Sequence, residues 1–116
     1  MAKILVADDD TGIVDAMKIL LEGEGHDVII TTDGNNIEQM YGHKPDLVFL
    51  DIWMSGINGN VVCQRLKENS ETSHIPIVMF SANRDTEQIA LQSGANDFLS
   101  KPFEIKDLIA MVNKHV

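Results

Sequence analysis

Five residues of this chain have the types and the spacing to do chemistry together: Asp8, Asp9, Asp51, Ser81 and Lys101. Each lies at the end of a short run that reads as a strand, mostly apolar. Ile4-Leu5-Val6-Ala7 leads into Asp8-Asp9, Leu47-Val48-Phe49-Leu50 into Asp51, Ile77-Val78-Met79-Phe80 into Ser81, and Asp97-Phe98-Leu99-Ser100 into Lys101. If these runs are strands of one sheet pointing the same way, three carboxylates, a hydroxyl and an ammonium share one pocket. Like charges ~4 Å apart cost about 4 kcal/mol per pair at an effective dielectric near 20. Such a cluster takes up protons or binds a divalent cation. An all-oxygen set with few protein ligands suits Mg²⁺, which keeps several waters and binds through one or two carboxylates plus a phosphate. Aspartates also end strands as turn formers and helix caps, and Asp10 or Thr11 is expected to cap the first helix in that way. One acidic strand end would carry little weight. Repetition at successive strand ends is what marks these residues as a site.

The elements that must position these groups alternate between two periods. The strands read as continuous apolar runs, as expected of strands buried on both faces. After Asp8-Asp9-Asp10, Ile13, Val14, Met17, Leu20 and Leu21 recur at helical spacing up to Gly23 or Gly25. Val28-Ile29-Ile30-Thr31 is a second strand. Ile37, Met40 and Tyr41 mark a short helix that Pro45 ends. Gly59 to about Lys67 is a third helix with Val62 and Leu66 inward, and Ile75–Phe80 is a strand with its proline at the start. A helix beginning near Asp85 stops before Gly94. The last helix carries Ile105, Leu108, Ile109 and Val112 on one stripe. The order is (βα)₅, which predicts an α/β fold, a doubly wound parallel five-stranded sheet with helices on both faces. Ligands bind such sheets at the carboxyl ends of the strands.

Composition narrows the function classes. The 116 residues fit one domain, spanning 1–116. Nine Lys and Arg against eighteen Asp and Glu give a net charge of −9, which argues against direct contact with nucleic acid. Neither a signal-peptide core nor a membrane-length apolar run is present, so the expected compartment is the cytoplasm. The lone Cys63, beside Val61 and Val62, reads as a small buried thiol. There is no Cys/His cluster for zinc; His26, His43, His74 and His115 are scattered and are expected at the surface.

These stretches resemble the receiver domain of two-component response regulators, the single-domain chemotaxis regulators among them. The resemblance runs through Ile4–Asp10, Asp46–Met54, Gly56-Ile57-Asn58-Gly59, Pro76–Ala82 and Gly94–Phe103, in order, and covers essentially the whole chain. It implies a flavodoxin-like strand order of 2-1-3-4-5, an order that chemotaxis receivers exemplify. It implies that Asp51 accepts a phosphoryl group from a histidine kinase or histidine phosphotransfer protein. Asp9, Asp51 and the carbonyl of Trp53 would ligate Mg²⁺, with Asp8 acting through water. Lys101 would pair with the Asp51 carboxylate and then with a phosphoryl oxygen, and Ser81 would hydrogen-bond another. Phe98 would change rotamer, so that the surface of the fourth helix and fifth strand controls a downstream protein or a linked output domain. The Lys101–Pro102 bond is expected to be cis. Trp53 and Asn83, two residues beyond Asp51 and Ser81, are expected to set the lifetime of the phosphoryl group.

Three positions depart from the family pattern. Ser55 replaces a usual proline, Asn58 a common aspartate and Ser81 a more frequent threonine; none removes a required group. A receiver of this kind catalyses its own phosphorylation and dephosphorylation, and no motif indicates a pocket for a separate substrate. Two other readings fit less of the sequence. A flavin-binding protein of similar strand order needs a Ser/Thr/Gly-rich phosphate loop where Asp8-Asp9-Asp10 stands. A receiver-fold interaction module that does not cycle phosphate leaves the acidic set without a purpose. No output segment follows the last helix in this sequence, as expected of a stand-alone receiver or of one excised from a larger regulator.

Overall fold

Five of the apolar runs form one parallel sheet in the computed structural model, which describes residues 2–54 and 57–116. The strands are β1 (Lys3–Ala7), β2 (Asp27–Thr31), β3 (Leu47–Asp51), β6 (Ile77–Ser81) and β7 (Asp97–Ser100). Two further short strands, β4 (Trp53–Met54) and β5 (Ile57–Asn58), make an antiparallel hairpin after β3. The sheet order is β2-β1-β3-β6-β7. With the hairpin set aside this is the expected 2-1-3-4-5. The strand expected from Ile75 begins at Ile77, so Pro76 lies just outside it, where its missing N–H costs no ladder bond.

Alternation along the buried strands sorts the core into two layers. Leu5, Ala7, Val48, Leu50, Ile77, Met79 and Phe98 pack with Ile37, Val62, Cys63, Leu66 and Ala90. Those partners belong to α2 (Ile37–Met40), α3 (Gly59–Glu68) and α4 (Glu87–Gln92). On the other face Ile4, Val6, Phe49, Val78, Phe80 and Leu99 pack with Val14, Met17, Leu21, Leu108 and Val112. These come from α1 (Thr11–Gly23) and α5 (Ile105–His115). Every residue of β3 and β6 is buried, Asp51 and Ser81 included.

Asp10 caps α1, its Oδ1 accepting from the N–H groups of Gly12 (2.9 Å) and Ile13 (3.3 Å). Asn58 caps α3 by accepting from Asn60 N–H at 2.8 Å, so the Asn at this position keeps the capping role. α2 is a single turn between 3₁₀ turns at Gly34–Asn36 and Tyr41–His43; the side chains of Met40 and Tyr41, like Ser55 and Gly56, lie outside the described residues.

Two expectations are corrected. Ile105 is 55% exposed and not part of the inward stripe, because it opens α5 before the helix reaches the sheet. Only His43 and His74 are exposed at the surface; His26 and His115 are half-buried. The Nδ1 of His26 accepts from the Ala2 N–H at 3.0 Å, and the Nε2 of His115 lies 3.1 Å from Asp97 Oδ2. Packing of the chain ends against the amino edge of the sheet gives both rings partners. Cys63 is fully buried, as expected, and burial pushes its thiol above the usual range. Among the described residues no helix is long and apolar enough to cross a membrane.

Candidate functional site

Parallel strands deliver their carboxyl ends to one edge, and β1 and β3 are the neighbours from which the chain winds off in opposite directions. Asp8 and Asp9 leave β1 there, Asp51 ends β3, Ser81 ends β6 and Lys101 follows β7. One carboxylate oxygen from each of Asp8, Asp9 and Asp51 lies within 4.8 Å of the others. The convergence predicted from the order of the runs is therefore present.

The three aspartates differ in setting. Asp8 is 1% exposed; its Oδ1 accepts from the Asp10 N–H at 2.9 Å, and its Oδ2 lies 2.6 Å from Lys101 Nζ. Asp51 is buried and lies 3.6 Å from the same ammonium through Oδ1, with the Trp53 backbone N–H nearby. Asp9 is exposed at the rim. Lys101 thus reaches the expected Asp51, but its shorter contact is to Asp8. The most desolvated carboxylate has the greatest need of a counter-charge.

One ammonium does not balance the two buried carboxylates Asp8 and Asp51. Burial, followed by the charge of Asp8, pushes the Asp51 carboxyl up to about 7, against the pull of Lys101 and the Trp53 N–H. A carboxyl raised by desolvation and a like charge is the signature of a site short of positive charge. The all-oxygen donor set fits a hard divalent cation such as Mg²⁺, whose charge would favour the ionised form.

The remaining expected residues ring this centre. Ser81 is buried, and its Oγ accepts from the Asn83 N–H at 3.1 Å, a bond that does not use the hydroxyl proton. The Lys101 N–H donates to the Ser81 carbonyl at 2.8 Å, tying the two loops together. Phe98 sits in the core, 9% exposed, one strand over from Met79. Trp53 is 61% exposed beside the pocket. Asn83 is exposed, and its Oδ1 accepts from the Asp85 N–H at 2.9 Å, which holds the turn before α4. The Lys101–Pro102 peptide is cis, as expected.

Two features were not anticipated from the sequence. Gly59 opens α3 directly behind Asp51; a Cβ there would overlap the Asp51 carbonyl oxygen and press on Ile52. Its signal was a glycine just past the acidic strand end, readable as a close approach of backbones. The other is Phe80, whose ring centroid lies 4.8 Å from Lys101 Nζ. An aromatic inside an apolar run reads only as core.

The comparisons with known proteins agree with this geometry. The family model described as "Response regulator receiver domain" matches residues 4–113. The DNA-binding response regulator MtrA of Mycobacterium leprae (strain TN) is 41% identical over 113 residues, which are 95% of this chain and 49% of that protein. The chain thus spans about half the length of the curated relatives it matches. The receiver domain of NtrX from Brucella abortus superimposes with a TM-score of 0.86 at 32% identity, covering 97% of this chain and 96% of that one. The chemotaxis protein CheY4 of Vibrio cholerae shares the fold with a TM-score of 0.89 at 24% identity, over 100% and 99% of the two chains. A five-stranded parallel sheet, an acidic cluster at its carboxyl edge and a match over nearly the whole sequence place this chain in the family of response regulator receiver domains.

Proposed function

We propose that the chain is a phosphorylation-activated switch of a two-component or phosphorelay system, in which Asp51 accepts a phosphoryl group from a phosphohistidine. The observation that carries this reading is the meeting of Asp8, Asp9 and Asp51 within 4.8 Å, with a lysine against the buried pair. An oxygen of the ionised Asp51 attacks phosphorus; the O–P bond forms as the donor's N–P bond breaks and its electron pair returns to the imidazole. With the other ring nitrogen already protonated, the imidazole departs neutral. Phosphoryl transfer of this kind needs positioning and charge neutralisation more than covalent help. Bound Mg²⁺ would supply that neutralisation, held by Asp9, Asp51 and the Trp53 carbonyl, with Asp8 acting through water.

Lys101 follows the charge from the Asp51 carboxylate to a phosphoryl oxygen, and Ser81 donates its hydroxyl proton to another. Those new bonds draw the β6–α4 loop inward, and Phe98 turns with it. The surface of α4 and β7, where Ile89 and Leu91 are exposed, changes shape. Moving such an equilibrium from 1:99 to 99:1 takes about 5.5 kcal/mol of differential interaction, within reach of a charge-assisted cluster.

The donor is a histidine kinase or histidine phosphotransfer protein, and the setting is the cytoplasm. The output is a downstream protein or a linked domain. DNA binding, named for the longer relatives, belongs on this reading to the half of those proteins that this chain does not match, because a net charge of −9 disfavours contact with phosphates. Trp53 and Asn83 set the lifetime of the phosphoryl group by controlling the water behind phosphorus.

The test is mass spectrometry after treatment with acetyl phosphate and Mg²⁺. Wild type gains one phosphoryl group at Asp51, and Asp51→Asn folds but gains none. Equal labelling of the two proteins would assign the acceptor to another residue.

A further inference from the structure

We propose that Phe80 is a positioning residue for Lys101: its ring face is the third contact that holds the ammonium over the acceptor site. This inference rests on the reading of Asp51 as phosphoacceptor.

The geometry is specific to this part of the sheet. Phe80 is registered against Asp51 across the β3–β6 ladder and is fully buried. Its ring meets Phe49 edge-on at 6.4 Å between centroids and Phe103 edge-on at 6.4 Å. Phe103 belongs to the same loop as Lys101, so that loop meets the Phe80 ring twice, with the Phe103 ring packed perpendicular to it and with the ammonium over its face. Lys101 Nζ stands 4.8 Å from the Phe80 centroid, 2.6 Å from Asp8 and 3.6 Å from Asp51. A cation within about 6 Å of a ring face is attracted by the ring quadrupole, most strongly where water is excluded.

What the ring adds is attraction without competition. A carbonyl or carboxylate in its place would accept an N–H from Lys101 and hold it back from an incoming phosphoryl oxygen. An aromatic face has no directional lone pair, so the ammonium keeps its N–H groups for oxygens and can pass from Asp51 to the phosphoryl group without leaving its seat. The flanking phenylalanines keep the ring from turning away.

The test reads position and rate separately. In wild type the ε-methylene protons of Lys101, assigned by their loss in Lys101→Arg, should resonate upfield of those of the other lysines through the ring current. Phe80→Leu should return them to the ordinary range. The rate of labelling by acetyl phosphate with Mg²⁺ should fall about threefold to tenfold in the same variant. Because leucine also disturbs the core, a second series places mono-, di- and trifluorinated phenylalanine at position 80. Fluorination weakens the ring face and keeps its shape, so the rate should fall stepwise. An ordinary wild-type chemical shift, or a rate that is flat across the fluorinated series in a protein that labels normally, overturns the positioning role alone. A wild type that takes no label at Asp51 overturns the proposed function and this inference with it.

Discussion

Two ends of the sheet each set a lysine against an aspartate, with opposite results. At the carboxyl edge, Lys101 faces a buried pair of carboxylates with Asp9 alongside, and Asp51 is pushed up to about 7. At the other end of β7, Asp97 faces the Lys114 ammonium, with Nζ at 2.7 Å, and the His115 ring, with Nε2 at 3.1 Å, both on Oδ2. Burial opposes the charge on Asp97, but the bonds from Lys114, His115 and the Phe98 N–H outweigh it and hold the carboxyl below its usual range. The buried pair Asp8 and Asp51 is left short of positive charge, and Asp97 is satisfied. A satisfied cluster fastens the last turn of α5 to the sheet. An unsatisfied one has something still to bind, which is how a binding site differs from a structural ion pair built of the same residue types.

The largest expected effect is on metal binding. Mg²⁺ should quench or shift the fluorescence of Trp53, whose backbone adjoins the cluster, and Asp9→Ala should weaken that response at least about tenfold. Asp97→Asn should leave it unchanged. A wild-type protein with no Mg²⁺-dependent change in fluorescence, or in NMR shifts around Asp9 and Asp51, would remove the contrast between the two clusters.

The second effect is on stability against pH. Between the ordinary carboxylate value of 3.8 and about 7, the folded metal-free protein keeps a proton on Asp51 that the unfolded chain has released. Stability must therefore fall as pH rises through that window, by roughly 2–4 kcal/mol in all, and level off above it. Asp97 has the opposite sign: its lowered value adds stability that is present above the ordinary carboxylate range and is lost as pH falls through the folded value. Urea unfolding in EDTA from pH 4.5 to 8 should show the decline in wild type and its near absence in Asp51→Asn. Parallel curves for the two proteins would mean that Asp51 is not the strained group.

Smaller effects follow at the rim. Trp53, large and exposed, should crowd water from the in-line path, and Asn83 is no general base. The phosphorylated form should be long-lived for this family, and Trp53→Asn and Asn83→Glu should each shorten its life by a few-fold. Following phosphate release over time checks this; decay no faster than wild type in both would discard the shielding account. Smallest of all, Asp97→Asn should cost about 1 kcal/mol, because Lys114 is 64% exposed and its pair is well screened. A loss of several kcal/mol would make the clamp at the end of α5 a central support of the fold.

Much of this was legible in the sequence for one reason. A parallel sheet covered on both faces writes its strands as unbroken apolar runs, and its chemistry falls on the residues just after them. Asp8, Asp9, Asp51, Ser81 and Lys101 were found in that way, and Asp10 and Asn58 by their capping positions. The β4–β5 hairpin was missed because two strands of two residues carry no period. The Asp97 clamp was missed because it joins residues 17 and 18 apart across a strand, a loop and a helix, where no fixed spacing applies. For the same reason His115 read as a surface residue. Phe80 was visible only as core, since nothing in an apolar run tells which ring will lie under a cation.

Cys63 gives the protein a built-in clock. It is the only thiol in the chain, and it lies fully buried where α3 meets the sheet, close to Ser93 at the end of α4. An alkylating reagent can reach it only when that side of the molecule opens, so its labelling rate under native conditions measures the opening equilibrium directly. The measurement needs no engineered probe. It sits on the face that carries α4, so a phosphoryl group that rearranges α4 would be read as a change in how often the thiol comes into view.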